Sequence, residues 1–452
     1  MKVLSNPLLT DLYQLSMIQA YLESGQTDTA VFEFFVRKLP PQRSFLMAAG
    51  LEQALDFLEG LRFSGEELGW LERTGRFSAR LIDYLANFRF SGEVHAMPEG
   101  TLFFGNEPIL RVTAPLPEAQ LVETRLINIL HFQTVIASKA SRLVLLARNK
   151  LLVDFGLRRA HGAEAGLMAA RASYIAGFAG TATLLAEKSF GIPTYGTMAH
   201  SFVQAFDSES AAFEAFAHAR PVNLTLLIDT YDTEAAARKV VALAPRLRER
   251  GVAVRAVRID SGDLAALAKS VRRILDAGGL EDTGIFVSGG IDEDTLVTFT
   301  REDAPIEGIG IGTSLTTSFD APALDCAYKL QEYAGLPRRK RSTGKATWPG
   351  RKQVWRRYDR NGGIMADFLS TEDDDVHEGE PLIHSVMAGG RRISSQPSLH
   401  DIRAHARHQL ERLPVELTTN QPLVPYPVQV SNVLEQLAAA TDRRLSLTEA
   451  KS

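Results

Sequence analysis

The sequence predicts an α/β fold built on a parallel sheet, with a separate α+β layer beside it. Three observations carry this. Short apolar runs in the middle of the chain each end in Asp, Ser or Gly, as buried strands do. Helical patterns separate them. Strand starts recur about every 30 residues, the length of one β-α unit. Such units make parallel sheets, open or closed into a barrel, and periodicity alone does not choose between the two.

The elements follow in order. Pro7 to Glu23 reads as a helix, with Leu8, Leu12, Leu15, Met17 and Ile18 along one side. Thr29 to Arg37 alternates and is aromatic, so it reads as a strand. Ser91 to Val112 holds strand-like pieces split by Pro98, Gly100, Gly105 and Pro108. The middle strands are Leu151–Val153, ending at Asp154-Phe155-Gly156; Leu224–Ile228, ending at Asp229; and Val252–Ile259, ending at Asp260-Ser261-Gly262-Asp263. Ile285–Val287, ending at Ser288-Gly289-Gly290, and the run Ile309-Gly310-Ile311-Gly312 complete the set. Between them, Glu234 to Arg250 carries Val240, Val241, Leu243 and Leu247. Leu264 to Ala277 carries apolar residues three and four apart, one helix face. Gly251 and Gly278 follow these helices, as expected at a helix end. Lys352 to Tyr358 is a later strand. Thr419 to Pro427, with three prolines, is expected to wrap the surface before a last helix from Val430 to Ala440.

Composition narrows the class. The 452 residues include 50 Lys and Arg against 54 Asp and Glu, a net charge of −4, with 45% apolar residues. This is the profile of an ordinary soluble protein, and it excludes a generic basic nucleic-acid binder. No apolar run approaches the roughly 20 residues of a membrane span, and no secretory signal is visible. The single cysteine, Cys326, excludes an internal disulfide and a Cys-based zinc site. A cytoplasmic location is the expectation. The charge is uneven. Arg338 to Arg357 holds nine basic and no acidic residues, which leaves 41 basic and 54 acidic elsewhere; an acidic run follows at 372–380. Such runs are read first as solvated loops.

In either parallel architecture ligands sit at the carboxyl ends of the strands, and here those ends are polar. Arg258 and Asp260 are two apart, on one side of their strand. A cation and a carboxylate followed by a Ser-Gly turn suit a polar ligand or a metal-bound phosphate. Asp263 serves equally well as a helix N-cap. Ser288-Gly289-Gly290 and Gly310-Ile311-Gly312-Thr313-Ser314 are glycine-rich loops after strands, where backbone N–H groups can bind phosphate; the bland reading is two tight turns. Neither fits a P-loop or Rossmann pattern. Arg158 and Arg159 could clamp a phosphate or carboxylate, and Phe155 offers a flat apolar face. His200, in Gly196-Thr197-Met198-Ala199-His200-Ser201, is a structural histidine on composition alone, though histidine can act as a nucleophile.

Taken together and in order, these motifs resemble the nicotinate phosphoribosyltransferase family over most of the chain. The residues carrying the likeness are Leu9-Thr10-Asp11-Leu12-Tyr13-Gln14, Asp154-Phe155-Gly156-Leu157-Arg158-Arg159, the Gly196–Ser201 segment, and Arg258-Ile259-Asp260-Ser261-Gly262-Asp263. Ser288-Gly289-Gly290-Ile291-Asp292, Gly310-Ile311-Gly312-Thr313, Ala323–Leu330 and Gly344-Lys345 complete it. The resemblance implies an irregular type II phosphoribosyltransferase α/β barrel plus an α+β sandwich domain built from both ends of the chain. On that basis 1–118 begins the sandwich, 119–342 forms the barrel, 343–400 returns to the sandwich, and 401–452 is a C-terminal extension with the last helix. It further implies a homodimer with shared active sites.

The implied reaction joins nicotinate to phosphoribosyl pyrophosphate, giving nicotinate mononucleotide and pyrophosphate, coupled to ATP hydrolysis through a phosphohistidine. This ligase-type step opens NAD salvage from nicotinate. Mg²⁺ and ATP are the implied cofactors. Carried over residue by residue, His200 is the phosphorylated histidine. Phe155 stacks on the pyridine ring, and Tyr13 of the partner subunit on its other face. Arg258 and Thr197 hold the carboxylate. Arg158 and Asp260 meet the phosphoribosyl group and its Mg²⁺ or hydroxyls, with no metal ligand certain. Gly289, Gly290, Gly312 and Thr313 cradle the 5-phosphate; Asp11, Ser288 and Lys345 complete the substrate-binding set. The related nicotinamide enzyme carries an Asp where this chain has Ala182, which favours the acid over the amide. Quinolinate enzymes share the fold but are much shorter and lack the histidine motif.

Overall fold

A computed structural model describes residues 6–148, 150–374, 379–419 and 426–449. Two compact units emerge: Met1–Ser138 with Ala323–Leu417 and Pro422–Ser452, and Lys139–Pro322 with Thr418–Gln421.

The Lys139–Pro322 unit is the parallel one. Its six-stranded sheet runs in the order Gly180–Thr181, Leu151–Asp154, Gly308–Ile311, Gly284–Ser288, Val254–Ile259, Leu224–Leu227, and every neighbouring pair is parallel. The sheet curls into a half-barrel, the irregular type II phosphoribosyltransferase barrel that the motifs implied. Helices Ala163–Ala176, Thr233–Glu249, Leu264–Ala277 and Glu293–Arg301 lie along the connections. Three of them open on an aspartate whose side chain accepts a backbone N–H of the first turn: Asp232 from Ala235, Asp263 from Ala266 and Asp292 from Thr295. That is the bland role weighed for Asp263.

The strand Gly308–Ile311 shows how sequence shapes the half-barrel. Ile309 and Ile311 are fully buried on one face. Gly308 and Gly310 face the other way, where a Cβ on Gly310 would lie 2.5 Å from the Phe155 ring and one on Gly308 would strike Phe286. The glycines make room for two aromatic rings at the sheet surface.

The other unit is an α+β assembly from both ends of the chain, as expected. A seven-stranded sheet is ordered Leu336–Pro337, Cys326–Tyr333, Thr29–Val36, Pro108–Pro115, Glu93–Ala96, His384–Ala388, Arg391–Arg392. A four-stranded sheet combines Glu380–Pro381, Lys352–Tyr358, Ile364–Thr371 and Val428–Val430. Glu33 links the two sheets, taking the Lys352 backbone N–H at 3.0 Å and the Lys352 ammonium at 2.8 Å.

The breaks expected at 118 and 342 fall instead after Ser138 and Pro322. The reason is pairing: Cys326–Tyr333 is antiparallel to Thr29–Val36 along its whole length, so it belongs with the sandwich. Residues 401–417, expected in an extension, are part of the same unit. The first helix starts at Leu12, not Pro7, and the last runs Asn432–Glu449. Helix Glu123–Ala147 is long and apolar enough to cross a membrane, contrary to the reading that no run approaches that length. Two-thirds of its most apolar window is buried in the protein (67%), as in a core helix. The surface course expected for 419–427 and the acidic run at 372–380 both include residues outside the described ones.

The basic stretch is only in part a solvated loop: residues 340–346 are exposed and irregular, whereas Lys352–Tyr358 is a strand. Arg356 is fully buried against Asp367 at 2.6 Å, and Arg351 pairs with Glu332 at 3.2 Å. Arg339 pairs with Asp442 at 3.3 Å and Arg341 donates to Ser446 at 2.9 Å. These partners come from distant sequence, so the run cannot be read alone. Lys345 is exposed.

Candidate active site

The carboxyl ends of the parallel strands gather the predicted residues. Arg258, near the end of its strand, is the hub. Its Nε donates to Ser288 Oγ at 2.9 Å, one terminal nitrogen to Thr197 Oγ1 at 3.1 Å and the other to Asp260 Oδ1 at 2.7 Å. Ser288 Oγ also donates to Asp260 Oδ1. The guanidinium carbon lies 5.4 Å from the Phe155 ring centre, within cation–π range. Phe155 is tilted against Phe286, ring centres 5.8 Å apart. A flat aromatic face and a forked cation thus stand side by side.

His200 sits at the edge of this cluster. Its Nδ1 is 3.2 Å from Thr230 Oγ1, and its Nε2 is 3.8 Å from Asp260 Oδ2. Burial alone would raise the Asp260 pKa. Hydrogen bonds from Ser288 and Arg258, and the charges of Arg258 and His200, outweigh it and hold the carboxyl below its usual range. Asp260 is therefore an anion at neutral pH.

Gly289 has φ +98, and a Cβ there would strike the Asp260 backbone carbonyl. Glycine at this position is what lets the Ser288–Gly290 loop close onto Asp260. Gly312 and Thr313 open the short helix Thr313–Thr316. Arg158 projects from an exposed turn, Leu157–Arg159, without a contact to the hub. Tyr13, Asp11 and Lys345 belong to the other unit. There the Tyr13 hydroxyl donates to Glu123 at 3.2 Å and Asp11 accepts from Thr124 at 2.9 Å.

Several residues at these strand ends were not singled out. Asp229 accepts the Asp260 backbone N–H at 3.0 Å and the Ser261 hydroxyl at 2.6 Å, while its Oδ1 is buried without a hydrogen-bond partner. Its position ending the Leu224–Ile228 run was the available signal. Asp154 is buried and accepts from Thr181 Oγ1 at 2.7 Å and Gly156 N–H at 2.8 Å. Burial pushes its carboxyl up to about 6, against the lowering effect of both bonds. Thr230 carried no sequence signal. A cavity of about 900 Å³ has Phe155, Tyr195, Thr197 and Phe286 in its wall but is lined mostly by strand starts, among them Leu151, Leu224, Arg255, Gly284 and Gly308, and so lies toward the opposite strand ends from Asp260.

The same chain matches three family models: the nicotinate phosphoribosyltransferase N-terminal domain over residues 8–131, the nicotinate phosphoribosyltransferase family over 151–334, and its C-terminal domain over 374–438. It is 50% identical over 427 residues to nicotinate phosphoribosyltransferase pncB2 of Mycobacterium tuberculosis, covering 94% of this chain and 91% of that one.

The chain belongs to the nicotinate phosphoribosyltransferase family.

Among other members, the Bacillus subtilis nicotinate phosphoribosyltransferase is 35% identical over 455 residues, 94% of this chain and 92% of its own. The crystal structure of human nicotinic acid phosphoribosyltransferase superposes with a TM-score of 0.86 at 30% identity, over 96% of this chain and 99% of that one. A nicotinate-nucleotide pyrophosphorylase from Pyrococcus furiosus shares the fold, with a TM-score of 0.74 at 24% identity over 90% and 96%. Within this family framework Ala182 is exposed beside Asp154, whose backbone carbonyl accepts the Ala182 N–H at 2.8 Å. It adds a methyl group and no charge.

Proposed function

We propose that this protein is an ATP-coupled nicotinate phosphoribosyltransferase acting in NAD biosynthesis. The observation that carries the reading is the Arg258 hub: a guanidinium beside the Phe155 ring, bonded to Thr197, Ser288 and Asp260. A planar anion with an aromatic body, such as nicotinate, needs a fork for its carboxylate and a flat surface for its ring.

In this reading Phe155 and Tyr13, the latter from the partner subunit of a homodimer, sandwich the ring. Arg258 and Thr197 orient the carboxylate so that the ring nitrogen faces the ribose carbon of phosphoribosyl pyrophosphate. Orientation is the main demand, because the nitrogen is already nucleophilic. Bond breaking leaves positive charge on the sugar and negative charge on the leaving pyrophosphate. Asp260, held ionised, lies on the sugar side, and Arg158 is free to meet the donor's phosphates. Gly289, Gly290, Gly312 and Thr313 offer backbone N–H groups to the 5-phosphate, and Lys345 supplies further positive charge. Uncompensated Ala182 leaves nothing to repel the nicotinate anion.

Mg²⁺ fits the residues present. Asp229 Oδ1 is buried with no donor, and Asp260 lies next to it. Asp229 and Asp260 would hold the ion beside the donor's pyrophosphate; among the described residues no group of three or more acidic, His or Cys side chains would hold it alone. When bound it neutralises charge on the leaving group.

His200 takes the γ-phosphoryl group of ATP on an imidazole nitrogen: the N–P bond forms as the bond from phosphorus to the β,γ-bridging oxygen breaks, and ADP leaves. Hydrolysis of that phosphoramidate gives phosphate and restores the free ring, and the change at His200 reaches Arg258 through Asp260, which faces both. ATP hydrolysis thereby gates substrate binding and product release.

A product assay tests this with nicotinate and nicotinamide in parallel, with and without ATP, on wild type and His200→Ala. Nicotinate mononucleotide should form with nicotinate alone, and ATP should stimulate wild type but not the variant. Undiminished stimulation in His200→Ala removes the phosphohistidine; turnover of nicotinamide only removes the acid specificity.

A further inference from the structure

The two glycine-rich loops are held from behind by an ionic quartet, buried at Lys139 and Glu293 and half-buried at Arg142 and Asp320. Helix Glu123–Ala147 supplies Lys139 and Arg142, three residues apart and so on one face. The Lys139 ammonium contacts Glu293 and reaches Asp320 at 2.8 Å. Arg142 lies 3.1 Å from Glu293 Oε1 and 3.1 Å from Asp320 Oδ2. The Lys139 side chain is 1% exposed and that of Glu293 8%.

Each carboxylate is tied to one loop. Glu293 is the first residue of the helix that follows Ser288-Gly289-Gly290-Ile291-Asp292. Asp320 follows the short helix begun by Gly312 and Thr313, and the Phe319 N–H bonds back to the Ser314 carbonyl at 3.2 Å. The loops are also joined directly. Ser314 Oγ donates to the Ile291 carbonyl at 2.5 Å.

A buried ionic network is a poor way to gain stability. Desolvation offsets most of its attraction, and apolar residues of the same volume often serve better. What charges provide and methyl groups do not is a fixed direction and spacing. We infer that Lys139, Arg142, Glu293 and Asp320, with the Ser314–Ile291 bond, form a positioning device that sets the distance between the two loops and thereby the affinity for the phosphate of the sugar donor. None of these residues belongs to the substrate-binding set proposed above. The inference rests on the proposed function, in which the loops cradle the 5-phosphate.

Three variants test it. Ser314→Ala removes only the bond between loops, and Ser314→Thr restores a hydroxyl. The charge-neutral pair Lys139→Met with Glu293→Leu leaves Arg142 and Asp320 matched. Thermal midpoints are measured with KM for phosphoribosyl pyrophosphate and for nicotinate. The expected result is a donor KM raised about tenfold, as small misplacements allow, in Ser314→Ala and in the pair. Nicotinate KM stays within about twofold, the pair melts no lower than wild type, and Ser314→Thr recovers the donor KM. Unchanged donor KM in both Ser314→Ala and the pair overturns the inference. So does a joint rise of both KM values together with a lower melting point, which is plain destabilisation. A Gly290→Val control separates the two readings: if it raises donor KM while the variants do not, the loops bind phosphate and the device is wrong. If it also leaves donor KM unchanged, the phosphate-loop reading falls and takes the device with it.

Discussion

Arg258 and Asp154 show how differently two strand-end charges are held. Arg258 is balanced by Asp260 and spends its donors on three partners. Asp154 has no cation among its hydrogen-bond partners, only a hydroxyl and an amide. Its carboxyl releases a proton near 3.8 when unfolded and at about 6 when folded. Between those values the folded state holds more protons, so stability falls as pH rises through the window. The loss is roughly 3 kcal/mol at about 1.4 kcal/mol per pH unit. Asp154→Asn, which keeps an acceptor for Gly156, should flatten that fall. Urea unfolding at several pH values from about 4 to 7 checks it; a slope equal to wild type would show that Asp154 is not the group responsible. The residue identities at this site were legible because polar side chains at strand ends stand out against apolar runs. The burial of Asp154 was not, because it depends on Thr181 and on a neighbouring strand.

At the level of elements, the loops do the most with the least sequence. Gly289 combines positive φ with a close approach to the Asp260 carbonyl. Gly289→Ala should push the Ser288–Gly290 loop away from Asp260 and loosen the Ser288–Asp260 contact. We expect donor KM to rise about tenfold or more and kcat to fall, with strain costing about 1–3 kcal/mol of stability. Steady-state kinetics beside a melting curve would detect both, and wild-type values for both would refute the close approach. Five of the six parallel strands, their order along the chain and helices Thr233–Glu249 and Leu264–Ala277 were readable from periodicity; the two-residue strand Gly180–Thr181 and helix Ala163–Ala176 were not. Element boundaries were less legible: the first helix begins five residues later than its apolar pattern because 7–10 form a turn. The basic stretch misled for a different reason. Arg356 answers to Asp367 across a hairpin and to Gln409, 53 residues on, and Lys352 to Glu33, 319 residues back, the last two being partners that no local window contains.

For the whole molecule, the Arg356 cluster illustrates how the sandwich is fastened. Arg356 bonds Asp367, Gln409 and the Leu102 carbonyl, and Tyr426 donates to Asp367 at 3.0 Å while stacking on Phe104. Burial, then the nearby Asp367 charge, pushes Glu107 well above the usual carboxylate range. Arg356→Met leaves Asp367 uncompensated and should cost about 3–5 kcal/mol, whereas Arg356→Met with Asp367→Leu should recover most of it. Chemical denaturation of both variants decides; equal losses would mean the pair has no mutual dependence.

That sandwich has a consequence for synthesis. Thr29–Val36 pairs with Cys326–Tyr333, and Glu93–Ala96 with His384–Ala388, each across nearly 300 residues. The half-barrel is almost one continuous run, 139–322, and can close as soon as it leaves the ribosome. The earlier strands cannot. While translation proceeds, at ~5–20 residues per second, Thr29–Val36 waits with one edge unpaired for about 15 seconds at the fast end of that range and about a minute at the slow end. An apolar, aromatic edge of that kind invites pairing with another nascent chain. Expression at low temperature or with added chaperone should therefore raise the yield of folded protein more than any stabilising change inside the half-barrel.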